Sequence, residues 1–216
     1  MRNRFDRQLD RLNVEMIGLG ALCEEMITDA GKVVSTKDKE TIESMISIEE
    51  EINQKEREIE SLCMKLLLQQ QPVARDLRLI SAALKMVSDM ERIGDQGGDI
   101  AGIVQQRSVV KVIADTHIAN MARATIKMVT KSVDSFVKKD LEAARKVLDM
   151  DDEVDDLFEK VKKEVIQLIH EDPEKGEECV AIVMIAKYFE RIGDHANNIA
   201  EWVEYSITGE YKGGSL

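Results

Sequence analysis

Glu91-Arg92-Ile93-Gly94-Asp95 returns, letter for letter, as Glu190-Arg191-Ile192-Gly193-Asp194, 99 residues later. Ile100-Ala101 returns as Ile199-Ala200 at the same offset. Upstream of the first copy, Ile48-Glu49-Glu50-Glu51-Ile52-Asn53 aligns with Met150-Asp151-Asp152-Glu153-Val154-Asp155. A self-similarity of this period marks a duplicated structural unit. The chain therefore reads as two copies of one unit, each with an acidic cluster early in its middle segment and another late in its last.

Every segment of the unit carries a helical period. Leu9, Leu12, Met16, Leu19, Cys23 and Met26 recur at steps of three and four, as do Met45, Ile48, Ile52, Ile59, Leu62 and Leu66. With only 2 prolines, 4% aromatics and many Leu, Ile, Met, Glu, Lys and Ala residues, long helices are favoured over strands. The spacing predicts helices over about 4–31, from a Ser35 or Thr36 cap to about 69, and over about 74–105. The second half repeats them over about 114–137, 141–169 and 174–207. Gly31 reads as a stop, the residue before Pro72 as an end, and Asp172-Pro173 as a cap with proline at the first helical position. The fold class is all-α, two tandem three-helix units over residues 1–108 and 109–208, with a flexible tail over 209–216. The junction falls at about Arg107 to Lys111, where no Gly-Ser or Pro-rich linker occurs.

Charge narrows the function. The formal net charge is −12, which repels phosphate backbones and disfavours nucleic acid while suiting divalent cations or basic protein surfaces. Cys23, Cys63 and Cys179 form no C-x-x-C pair, which fits a reducing cytoplasm and argues against a disulfide framework. The start of the chain lacks the apolar core of a signal peptide. The longest strongly apolar run, Cys179 to Ala186, is far short of the ~18 residues a bilayer span needs. A cytoplasmic protein without membrane insertion is expected.

The motif itself has two readings. On a helical wheel, Ile80, Leu84 and Val87 fall within about 40° of Glu91, so the carboxylate continues an apolar stripe. Asp95 stacks beside Glu91, and Asp99 beside Asp95; Glu190, Asp194 and Asn198 repeat the pattern. Short turns make the middle and last helices antiparallel, which brings the two acidic clusters of each unit together. Stacked, partly buried carboxylates need compensation: a hard metal cation, arginines such as Arg92 and Arg191, or protonation, which pH 7 disfavours. In the plainer reading, Glu-Arg-Ile-Gly-Asp is a packing and salt-bridge motif, with Gly94 and Gly193 permitting close helix approach. His195, directly after Asp194, is a candidate extra ligand. None of His117, His170 and His195 lies three residues after a Glu, so the Glu-x-x-His signature of di-iron bundles is absent.

These stretches, with Gln71-Pro72-Val73-Ala74-Arg75-Asp76-Leu77-Arg78 and Phe189 to Ala200, resemble the PhoU family of phosphate-signalling regulators over nearly the whole chain. The resemblance implies two tandem three-helix bundles, no enzymatic activity and a homodimer. It implies a negative regulator of phosphate uptake and of the phosphate-starvation response. Its partners would be the ATPase of a phosphate ABC transporter and a sensor histidine kinase. Some members hold multinuclear iron or zinc through a Glu/Asp-x-x-x-Asp motif, which here falls on Glu91 and Asp95, extended to Asp99, and on Glu190 and Asp194. Glu50, Asn53, Asp152 and Asp155 are the positions expected to face them. The chain departs from the family at Gly97-Gly98 and Asp99, so a looser first copy is expected, since each glycine weakens a helix by roughly 1 kcal/mol. Two other classes compete: an oxidase or hydrolase built on a carboxylate-bridged metal pair, and a purely structural helical scaffold.

Overall fold

A computed structural model describes residues 2–69, 72–106, 116–211 and 214–215. The expected junction at Arg107 to Lys111 lies outside the described residues. The first half is α1 (Arg2–Thr36), α2 (Lys39–Gln69) and α3 (Ala74–Gln106). The second is α4 (Ile118–Lys138), α5 (Leu141–Leu148), α6 (Asp151–Glu171) and α7 (Gly176–Thr208), with a short 3-10 turn at Pro173–Lys175. A two-residue antiparallel pairing, Glu210–Tyr211 with Gly214–Ser215, follows, and the Tyr211 ring stacks on Trp202 at 4.2 Å.

Four local expectations change. Gly31 does not end α1, which continues to Thr36 and stops where Lys37 takes a left-handed φ of 53°. Gly31 faces α4 instead, where a Cβ would come within 3.3 Å of Ile126. The cap of α2 is neither Ser35 nor Thr36 but Asp38, whose carboxylate accepts from the Thr41 backbone N–H at 3.1 Å. The single helix expected over 141–169 is broken into α5 and α6 at Asp149 and Met150. The break gives α6 its own N-terminus, and Asp151, Asp152 and Glu153 fill the first turn, where the helix dipole favours negative charge. Asp172 and Pro173 open the 3-10 turn that leads into α7 at Gly176, rather than α7 itself: the Asp172 side chain accepts from the Glu174 N–H at 3.2 Å.

The apolar stripes meet in one continuous core that runs through both halves. The duplication survives in detail. Cys23 Sγ donates to the Met90 carbonyl at 3.3 Å, and Thr125 Oγ1 donates to the Phe189 carbonyl at 3.3 Å, equivalent bonds from the first helix of each unit to its last. The halves pack through α3 against α7 and α1 against α4. Both pairs are antiparallel: Arg78 lies by Gly209 while Asp89 meets His195 and Asn198, and a Cβ at Gly20 would meet Val133. The two motif copies consequently sit side by side near the middle of the molecule, related by an approximate twofold axis.

Candidate functional site: two carboxylate faces

In the first half, α2 runs antiparallel to α3, and Gly94 lets Ile52 lie against the helix, with both of its methyls 2.9 Å from where a Cβ would stand. This contact fixes which side of α2 looks at the motif. Glu49 lies about 60° from Ile52 on the wheel and Glu56 about 40°, whereas Glu50 lies about 160° away. The half-buried acids that face α3 are accordingly Glu49 and Glu56, and Glu50 is exposed. Asn53 is half-buried beside them. In the second half the same offset applies: Asp151 is half-buried towards α7, while Asp152 and Asp155 are exposed. The sequence expectation thus lands one residue late at Glu50 and Asp152. The signal that finds Glu49 and Asp151 is the buried residue three positions on, Ile52 or Val154.

The acids that face one another raise one another's pKa. Burial first, then Asp95, Asp99 and Glu50, raises the Glu49 carboxyl above its usual range. Glu91 is raised by burial and then by Asp95 and Glu56, with Arg92 opposing. Glu56 is raised by burial, with Glu60 and Asp95 adding to it. Arg92 is the local counter-charge, 3.6 Å from Glu91 and 3.5 Å from Asp95, on a side chain 62% exposed. Asp99 adds its charge to the face and also lies by Tyr188 on the other half, whose hydroxyl is raised by burial first and then by Asp99.

The second face is composed differently. Burial, followed by Asp155, Asp194, Asp152 and Glu190, pushes Asp151 up to about 6. Asp194 and Asp155 are raised by burial and then by Glu190, with Lys187 pulling both down. Lys187 forms an ion pair with Glu190 and lies 5.4 Å from the centre of the Phe158 ring. His195 does not join this face. Its Nδ1 meets Asp89 at 2.8 Å, and the Asn198 amide donates to the same carboxylate at 3.1 Å, so both residues bind the halves together. Among the described residues, no group of three or more Asp, Glu, His or Cys side chains stands close enough to hold a metal ion as placed. Also among them, no helix is long and apolar enough to cross a membrane.

Known proteins share this architecture. The PhoU domain family matches residues 16–104 and again 118–203. A phosphate-specific transport system accessory protein PhoU homolog from Clostridium acetobutylicum is 32% identical over 216 residues, covering 97% of this chain and 96% of that protein. Its counterpart from Pseudomonas aeruginosa is 33% identical, covering 95% of this chain and 86% of that protein. The crystal structure of PhoU from Pseudomonas aeruginosa superposes with a TM-score of 0.86 at 33% identity, over 95% of this chain and 99% of that one. That of the phosphate transport system regulatory protein PhoU from Streptococcus pneumoniae gives 0.87 at 29%, over 96% and 98%. The relatives are accessory proteins, not enzymes, which removes the oxidase or hydrolase alternative. With the duplicated motif, the twofold-related bundles and full-length similarity in agreement, the chain belongs to the PhoU family.

Proposed function

We propose that this protein is an accessory regulator of a phosphate-specific transport system, restraining phosphate uptake and the phosphate-starvation response. The observation that carries this reading is the similarity to named accessory proteins across 97% of the chain, with both motif copies retained. The protein acts in the cytoplasm as a homodimeric adaptor between the ATPase of a phosphate ABC transporter and a sensor histidine kinase. Deleting its gene tests the claim: phosphate-starvation genes should be expressed in high phosphate. Continued repression there would refute the regulatory role.

The carboxylate faces bind divalent or trivalent metal ions, iron or zinc in the first instance. The donor set supports this: oxygen ligands from two antiparallel helices, several raised above their usual pKa by burial and then by neighbouring carboxylates. A bound ion would supply the positive charge that offsets their repulsion. Glu91, Asp95 and Glu49 would hold it in the first half, with Glu56 beside them; Glu190, Asp194 and Asp151 are their counterparts. The packing and salt-bridge reading of the motif has its own support in the Arg92 and Lys187 ion pairs. Mass spectrometry of protein purified without chelator separates the two. Stoichiometric metal, lost in a Glu91→Gln/Glu190→Gln double variant, is the expected result, and metal-free folded protein would return the motif to packing.

A further inference from the structure

The stretch from Val73 to Arg78 has no part in either carboxylate face, yet it lines a cavity of about 600 Å³ at one end of the molecule, where the two halves meet. The walls come from four helices: the start of α1, the first turns of α3, the end of α4 and the end of α7. Leu9, Leu79, Phe136, Val203 and Ile207 give it an apolar lining. Small-ligand sites run to roughly 300–1,000 Å³ and combine such a lining with a few polar groups.

The polar groups here are mostly unsatisfied donors. Arg75, Arg78 and Lys139 all line the cavity, and among the described residues none of the three side chains has a hydrogen bond or an ion pair. Arg78 is the most constrained. It lies along the cap of α7, where a Cβ on Gly209 would stand 3.4 Å from its Cδ and 3.5 Å from Nε and from Nη1. Nε is buried there without an acceptor. A buried donor left unpaired is unfavourable, and the arginine fork matches a carboxylate in shape and charge. The first turn of α3 adds backbone N–H groups that favour negative charge, and Val73 ahead of it has no side-chain acceptor to cap them. The twofold copy reverses the charge: Arg75 and Arg78 correspond to Glu174 and Glu177. The cations therefore belong to this end of the molecule and are no relic of the duplication.

Asp6, Asp10 and Asp76 share the lining, the first two exposed on the α1 wall. They disfavour a ligand with several negative charges, so one carboxylate suits the cavity better than the double charge of phosphate. The geometry points to a binding site for a small organic acid, with its carboxylate on Arg75 and Arg78 and its apolar stem against Leu79, Phe136 and Val203. Exposed Lys139 adds a third positive charge.

Ligand-detected NMR on the full chain tests this with hexanoate as the probe. Hexanoate should bind, and the uncharged hexanamide should bind at least tenfold more weakly. Arg78→Gln should weaken hexanoate more than tenfold and Arg75→Gln severalfold. Lys187→Gln, which removes a cation outside the cavity, should leave it within twofold, and Asp6→Asn with Asp10→Asn should tighten it. Arg78→Gln also disturbs the packing on Gly209, so Ser206→Phe, which fills the cavity from α7 and spares the cations, is the second variant and should abolish binding. Helical circular dichroism checks that both variants fold. Equal binding of acid and amide, unchanged affinity in folded Arg78→Gln or Ser206→Phe, or no binding of hexanoate at millimolar concentration overturns the site. Displacement of hexanoate by an equal concentration of inorganic phosphate overturns the assignment to an organic acid.

Discussion

The two halves began as one sequence and keep the same helices, the same buried donor to the last helix, and the same motif. Yet their carboxylate faces have been neutralised in different ways. The first sets two exposed arginines against its acids, Arg92 beside Glu91 and Asp95 and Arg57 opposing Glu56; the second pairs Lys187 with Glu190. Duplication explains the difference. Once two units are fused, the packing residues of both remain constrained by the shared core, while partly exposed positions such as 88 and 187 are free to diverge.

The comparison can be broken most severely where the halves meet. Asp89 is 15% exposed and accepts from both His195 and Asn198. Asp89→Ala leaves both unpartnered and should lower stability by about 2–3 kcal/mol. Its counterpart across the twofold, Tyr188, meets Asp99, and Tyr188→Phe should lower it by only about 1 kcal/mol. Denaturant unfolding of the two variants compares them directly, and equal losses would contradict the asymmetry.

The motif glycines give a sharper contrast. A Cβ at Gly94 would stand 2.9 Å from two Ile52 methyls, but at Gly193 it would meet Val154 at 3.4 Å, ordinary contact. Gly94→Ala should lower stability by about 1–2 kcal/mol through overpacking. Gly193→Ala should be neutral or gain up to about 1 kcal/mol from helix propensity. Thermal or denaturant midpoints of the pair decide this, and matching signs would mean the two helix crossings are equally tight.

The smallest effect is electrostatic. Asp151 titrates in the folded protein at about 6, above its ordinary value, because it is part-buried among Asp155, Asp194, Asp152 and Glu190. The folded state binds this proton more tightly, so the group destabilises the fold above about pH 6, and the penalty fades as the pH falls to about 4. Asp151→Asn should therefore stabilise by about 1 kcal/mol at pH 7.5, after allowance for solvent screening, and by almost nothing at pH 4. An equal gain at both pH values would show that the effect is not carried by the charge.

Much of this was legible in sequence. The repeat offset, the apolar stripes and the antiparallel pairing of α2 with α3 follow from period and turn length, and every stripe residue named on α2 is buried. The facing acids were misplaced by one residue because a run of three acids has no period of its own; only the neighbouring Ile52 and Val154 give the run a phase. Gly31 was misread because a glycine in a close helix contact looks the same in sequence as one that ends a helix. The Asp89–His195 contact left no local trace, since its partners lie 106 residues apart. Lys187 was hidden for a similar reason: its role depends on Phe158, which lies on another helix.

That long separation bears on how the protein is made. Asp89 finds its two partners only 106 and 109 residues downstream. At ~5–20 residues per second, a ribosome leaves the first bundle waiting roughly 5–20 s for α7 to emerge. Throughout that interval the sides of α1 and α3 destined for the second half are bare. The nascent first half of one chain is then open to the completed second half of another, and the exchange would yield an intertwined pair built from the same contacts as the monomer.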